Sequence, residues 1–180
     1  VPIVCVLLTL GWAYAFSRIY TQPHSRVMAA RWLADNAPPG SYVISEVWDD
    51  PLPLQATRAS WGMTYEGIGS APYAEDEPRK YYGAVGADGR LEEGLLDQLD
   101  RADYITLTSN RIYDSTSRLR MRYPALMRYY NGLFSGELGF RLVAEVTSYP
   151  RILGLEIPDQ VAEEAFHVYD HPRVLIFEKT

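Results

Sequence analysis

One cysteine, three histidines and a shortage of positive charge set the first limits on this chain of 180 residues. A lone thiol, Cys5, can form neither an intramolecular disulfide nor a cysteine-based metal cluster. With 17 Lys and Arg against 23 Asp and Glu, the formal charge is −6. Such a surface suits nucleic acid poorly, because that binding depends on neutralising phosphates. There is no Gly-x-Gly-x-x-Gly fingerprint, P-loop or Gly-x-Ser-x-Gly elbow, and His24, His167 and His171 do not have the spacing of a metal-ligand set. Internal repeats and low-complexity tracts are also missing. The most informative absence is local: no charged residue occurs from Val1 to Phe16, and Arg18 is the first.

That uncharged run (Val1, Cys5, Val6, Leu7, Leu8, Leu10, Trp12, Tyr14, Phe16) is apolar on every face, unlike an amphipathic surface helix. It falls slightly short of the roughly 20 residues a full span needs. It begins with Val and has no basic segment ahead of it, as a signal peptide would require. The expectation is therefore the end of a last transmembrane helix over 1–20, with Trp12, Tyr14, Arg18 and Tyr20 as an interfacial belt. A buried core helix is the alternative reading. Residues 21–180 are expected to form one soluble domain, since 47% apolar and 22% charged residues are ordinary for a globular fold. The 14 tyrosines suit grooves and interfaces, though they also occur in plain cores.

Along that domain the spacing predicts a helix from Arg26 to about Asn36, capped by Ser25 and stopped by Ala37–Pro38–Pro39–Gly40. A strand follows from Tyr42 to Trp48. The stretch from Asp49 to Asp88 is rich in Gly, Pro and acidic residues and weakly periodic, with a short strand possible at Met63–Glu66; loops of this length are often functional. Next come an amphipathic helix (Arg90–Arg101), a strand (Tyr104–Thr108) and helical spacing that Asp114 or Ser115 caps and Pro124 restarts or kinks. Gly136 stops that helix, and a strand follows at Leu142–Thr147. Phe166–Tyr169 and Arg173–Lys179 read as a closing β-hairpin around Asp170–His171–Pro172. The fold class expected is α/β: a small mixed β-sheet with flanking helices and a C-terminal hairpin, preceded by the end of a transmembrane helix.

In open α/β sheets ligands gather beyond the carboxyl ends of strands. Glu46, Trp48, Asp49 and Asp50 end the first strand, where carboxylates suit a divalent cation or acid/base work, although Asp–Asp–Pro is also ordinary turn chemistry. Asn110, Arg111 and Tyr113 follow the Tyr104–Thr108 strand, with donors suited to a phosphate or sugar oxygen. Arg118 and Arg122, one helical turn apart, extend that surface or face anionic headgroups. Tyr169–Asp170–His171–Pro172 invites a catalytic reading, yet adjacent hairpin residues diverge, and a tight turn is the simpler account.

Several stretches together resemble a known family. They are Tyr20–Thr21–Gln22–Pro23–His24–Ser25–Arg26, Ala30–Arg31–Trp32–Leu33, Pro38–Pro39–Gly40–Ser41, Trp48–Asp49–Asp50–Pro51–Leu52–Pro53, Ser109–Asn110–Arg111–Ile112–Tyr113, Arg122–Tyr123–Pro124, Tyr129–Tyr130, Leu133 to Phe140, and Tyr169 to Val174. The chain resembles the C-terminal end of the YYY family of bacterial and archaeal polytopic membrane proteins, which are similar to C-superfamily membrane glycosyltransferases of the dolichyl-phosphate-mannose mannosyltransferase type. The resemblance implies an integral membrane protein of the cell membrane, a many-helix body and a polyprenyl-phosphate-linked sugar. It places the catalytic acid in an early outer loop outside this sequence, so no catalytic residue is expected here. The resemblance puts this domain on the extracytoplasmic side, with the bilayer and the membrane body as its partners and a lipid-linked sugar as its ligand. A cofactor is expected only as a divalent cation in the longer protein. A non-enzymatic cell-envelope binding or assembly domain is the alternative, and a metal-assisted hydrolase on Glu46, Asp49 and Asp50 is a third reading.

Overall fold

A computed structural model describes residues 2–46, 50–54, 64–68, 93–118 and 124–180. Helix α1 (Pro2–Ser17) has its apolar side chains on all sides and continues through a 3-10 turn at Arg18–Thr21. By length and composition this N-terminal helical stretch is able to cross a membrane. Ile3, Leu7, Leu8 and Leu10 are all more than half exposed, whereas Ala15 and Ile19 are buried against the rest of the chain.

Helix α2 (Ser25–Asn36) follows, then β1 (Tyr42–Glu46), β2 (Thr64–Ile68), α3 (Glu93–Arg101), β3 (Tyr104–Leu107), α4 (Arg111–Ser117) and α5 (Pro124–Ser135). The chain closes with β4 (Phe140–Val146), a short hairpin of β5 (Arg151–Ile152) and β6 (Leu155–Glu156), a 3-10 turn at Glu164–Phe166, and β7 (Val174–Lys179). The main sheet has five strands in the order β2-β1-β3-β7-β4. The first three are mutually parallel, and β7 runs antiparallel between β3 and β4. The α/β class and the mixed sheet with flanking helices are as the sequence predicts.

Alternation along the strands divides the core in two. Ile44, Ile105, Leu107, Leu175 and Phe177 pack with α4 and α5 through Ile112, Leu126, Tyr129, Tyr130 and Leu133. Val43, Tyr104, Val174 and Ile176 face the other way, onto Ala29, Ala30 and Leu33 of α2 and onto Leu52 and Leu54. Burying each Leu, Ile or Phe contributes about 1.5–3 kcal/mol, so the sheet is held from both sides.

Local chemistry explains where the details differ from the expectation. The N-cap of α2 is His24, not Ser25: its Nδ1 accepts from the Arg26 N–H at 3.2 Å. Helix α4 starts at Arg111, with the Ser109 hydroxyl accepting from the Arg111 N–H at 3.2 Å, so Asp114 lies in its first turn instead of capping it. Pro124 occupies the first position of α5, where its missing N–H costs nothing, and Gly136 leaves the helix at φ +84°. The expected closing hairpin is corrected. Its first limb, Phe166–Tyr169, leaves a 3-10 turn capped by Glu163, whose carboxylate accepts from the Ala165 N–H at 3.1 Å. The His167 and Val168 N–H groups donate to the Glu164 carbonyl at 3.1 and 3.0 Å and the His171 N–H to the His167 carbonyl at 2.9 Å, so this limb runs through successive turns, and β7 pairs with β3 and β4 instead.

Candidate functional site

The connection from β1 leads to β2 on one side, while the chain leaving β3 crosses to β4 at the opposite edge. The carboxyl ends of β1 and β3 therefore mark the topological switch point of the sheet. Glu46 ends β1 there, Asn110 follows β3, and β4 and β7 bring Glu145 and Arg173 to the same edge.

Glu46 lies on the face covered by α5 and accepts a hydrogen bond from the Tyr130 hydroxyl. Tyr130 packs against Tyr129 with centroids 5.0 Å apart and against Tyr113 at 6.0 Å, and Phe134 closes the cluster 5.4 Å from Tyr113. Burial, followed by the Glu46 carboxylate, pushes the hydroxyls of Tyr129 and Tyr130 far above the ordinary tyrosine range. Burial likewise raises Tyr113; Arg173 opposes this, and Asp114, Glu46 and Glu145 add to it. All three phenols therefore stay protonated at any physiological pH. The hydroxyls of Tyr113 and Tyr129 are buried without a hydrogen-bond partner among the described residues, and so is Asn110 Oδ1. Asn110 uses its amide nitrogen on Asp114 Oδ2 at 2.6 Å. Leaving such a group unpaired costs about 1–3 kcal/mol, so an edge that keeps three of them is chemically poised for hydroxyls or ordered water.

The other expected site residues are placed differently. Arg111 clamps the segment before β7: its Nε lies 3.3 Å from Glu164 Oε1, its Nη2 donates to the Tyr169 hydroxyl at 3.1 Å, and its guanidinium stands over the Tyr169 ring at 5.5 Å. Asp50 is exposed and sits 3.6 Å from Arg26 Nη1, a different partner from that of Glu46. Arg118 is exposed at the end of α4. Trp48, Asp49 and Arg122 lie outside the described residues. Among the described residues no group of three or more His, Cys, Asp and Glu is arranged to hold a metal ion.

The site also has a direction relative to α1. Phe16 packs on Phe166 and on His171, with centroids 5.3 and 5.5 Å away. His24 Nε2 bonds the Tyr169 carbonyl at 3.0 Å, and Arg26 donates to the Val168 carbonyl at 3.3 Å. The same 164–169 segment is gripped by Arg111 at the end of β3. These contacts put the foot of α1 at the carboxyl edge of the sheet, on the same side as Glu46. The turn at Gly139, whose carbonyl accepts from the Thr180 N–H at 2.8 Å, marks the opposite end.

Sequence reasoning missed Tyr129, Tyr130, Asp114, Glu145 and Arg173 as site residues. The adjacent pair Tyr129–Tyr130 held the available signal, since two neighbouring phenols in a buried helix need polar company. The divergence expected of Asp170 and His171 leaves the histidine another carboxylate: His171 Nε2 meets Asp159 at 2.8 Å, both groups being buried, and the pair supports the packing beneath Phe16. Comparison with protein-family models, with curated proteins and with solved structures returns no match for this chain.

Proposed function

We propose that this chain is a non-catalytic, extracytoplasmic C-terminal domain of a polytopic membrane glycosyltransferase using a polyprenyl-phosphate-linked sugar, and that its carboxyl-edge site receives sugar hydroxyls. The observation carrying this reading is the set of groups at the carboxyl edge: the Glu46 carboxylate, neutral buried phenols and the Asn110 amide oxygen, three of whose polar atoms have no partner among the described residues. A carboxylate and an amide carbonyl accept from vicinal hydroxyls, and protonated phenols donate to ring and glycosidic oxygens. The position of this edge beside the foot of α1 supports a ligand presented at the membrane surface. The family resemblance supplies the glycosyltransferase assignment, which is an argument from architecture.

One observation favours a second reading, a domain that binds a cell-envelope polymer. Arg111, the side chain best suited to a phosphate, is engaged by Glu164 and Tyr169, which leaves hydroxyl-binding groups foremost. Saturation binding separates the two. The protein in lipid nanodiscs would be titrated with a polyprenyl-phosphate sugar and with the corresponding free oligosaccharide. Preference for the lipid-linked form supports the first reading, equal affinity supports the second, and no saccharide binding at all removes both.

A further inference from the structure

The hairpin between β4 and the 3-10 turn has no role in the site just described, yet among the described elements it is the most exposed apolar one outside α1. Its strands pair Arg151 with Glu156 and Ile152 with Leu155, and the Ile157 N–H closes its base on the Pro150 carbonyl at 2.9 Å. The two residues at the tip, Leu153 and Gly154, both have positive φ, +51° and +84°. A two-residue turn of this kind favours Asn, Asp or Gly at both positions, and a leucine there costs on the order of 1 kcal/mol in backbone strain. That leucine is nonetheless 94% exposed, and Leu155 beside it is 70% exposed.

The hairpin lies against α1. A Cβ placed on Gly11 would stand 3.9 Å from Ile152 Cδ1, an ordinary van der Waals contact. Gly11, Ala15 and Ile19 form one i, i+4, i+8 stripe, so Ile152 touches the helix one turn nearer its N-terminus than buried Ala15. At that level the helix is otherwise bare: Leu8 and Leu10 are 69% and 61% exposed. An ion pair between Arg151 and Glu156 crosses the base of the hairpin, leaving the tip wholly apolar.

We infer that this hairpin is a second membrane contact, its Leu153–Leu155 tip entering the acyl-chain boundary of the leaflet from which α1 emerges. The occupant is lipid: the tip continues the bare apolar surface of α1 through the Ile152–Gly11 contact. An apolar residue at a turn position that disfavours it is explained if the solvent there is hydrocarbon, where burying a leucine gains about 1.5–3 kcal/mol. This inference rests on α1 spanning the bilayer.

The test uses the protein in phosphatidylcholine vesicles containing acyl-brominated lipid. An environment-sensitive fluorophore is attached at Leu153→Cys in a Cys5→Ser background, at Glu137→Cys in the same background, and at native Cys5. The Leu153 label is expected to emit with a blue shift, to be quenched by bromolipid and to resist aqueous iodide, while the Glu137 label behaves as in water. Iodide quenching at position 153 with a lipid-quenched Cys5 label overturns the wedge and leaves the span standing. A Leu153 label shielded from both quenchers also overturns it, because protein then covers the tip. If the Cys5 label is itself iodide-accessible, the span fails and the wedge fails with it.

Discussion

Tyr130 of α5 donates its hydroxyl hydrogen to the carboxylate of Glu46 at the end of β1, tying helix to strand over the carboxyl edge of the sheet. The contact joins residues 84 apart in sequence, and neighbouring phenols crowd both groups. A hydrogen bond to a charged group contributes about 1.5–3 kcal/mol. Tyr130→Phe should lower stability by about that amount in urea unfolding, with an unchanged m-value. Glu46→Gln should weaken saccharide binding at least as much as it weakens the fold, which calorimetric titration of the folded variant would show.

Acid should loosen the 159–171 segment. Burial lowers the His167 pKa from its ordinary value of 6.5; the Asp159 charge and the Ala162 carbonyl oppose this, and His171 adds to it. Because the folded pKa is depressed, the unfolded chain binds more protons between that pKa and 6.5. The stability contribution is then complete above pH 6.5 and falls as acid passes through the window below it, with a slope of up to about 1.4 kcal/mol per pH unit. Denaturation midpoints at pH 7.5 and 5 should show the loss. His167→Gln should flatten this part of the profile, and an unchanged slope would rule the residue out.

Arg111→Ala should release the segment from Glu164 to Tyr169. Its ion pair is only partly buried, so the global cost is small, about 0.2–1 kcal/mol. The local effect should be larger: faster hydrogen exchange at 164–171, with protection of β1 and β3 unaltered. Arg111→Lys should restore little, because a lysine cannot hold Glu164 and lie flat over Tyr169 together.

Gly132 and Leu153 make opposite demands. A Cβ at Gly132 would come 2.9 Å from Leu138 Cγ, so Gly132→Ala should destabilise by about 1–3 kcal/mol despite its better helix propensity, and Leu138→Ala should relieve much of the clash. At the hairpin tip the residue before Gly154 should behave in reverse. Leu153→Asn suits its φ of +51° and should leave thermal stability in detergent equal or slightly higher, while reducing the contact of the hairpin with lipid.

The strands and helices of the main sheet were legible because their signals are local. Pro38–Pro39–Gly40 ends α2, Gly136 ends α5, and paired apolar residues such as Val43–Ile44 mark a strand covered on both faces. The positions of Glu46 and Asn110 at strand ends were legible by the same logic. Tyr130 and Arg173 escaped because only the seating of α5 brings Tyr130 to Glu46, and only pairing between distant strands brings Arg173 to Glu145 at the same edge. The segment from Phe166 to Tyr169 misled because a short run of aromatic and apolar residues imitates a strand: the Glu163 cap is local, but the grip of Arg111 and Arg26 that holds the segment is tertiary.

The placement of Glu46 on the side of the sheet nearest the foot of α1 changes how a ligand would find it. For a ligand that is itself embedded in a bilayer, with α1 fixed in the same layer, the search becomes lateral diffusion in a plane. Encounter then depends on surface density, not bulk concentration, and a modest intrinsic affinity gives high occupancy. A water-soluble analogue of the same headgroup would receive no such enrichment, so its apparent affinity should fall well below that of the lipid-borne form even if it made identical contacts.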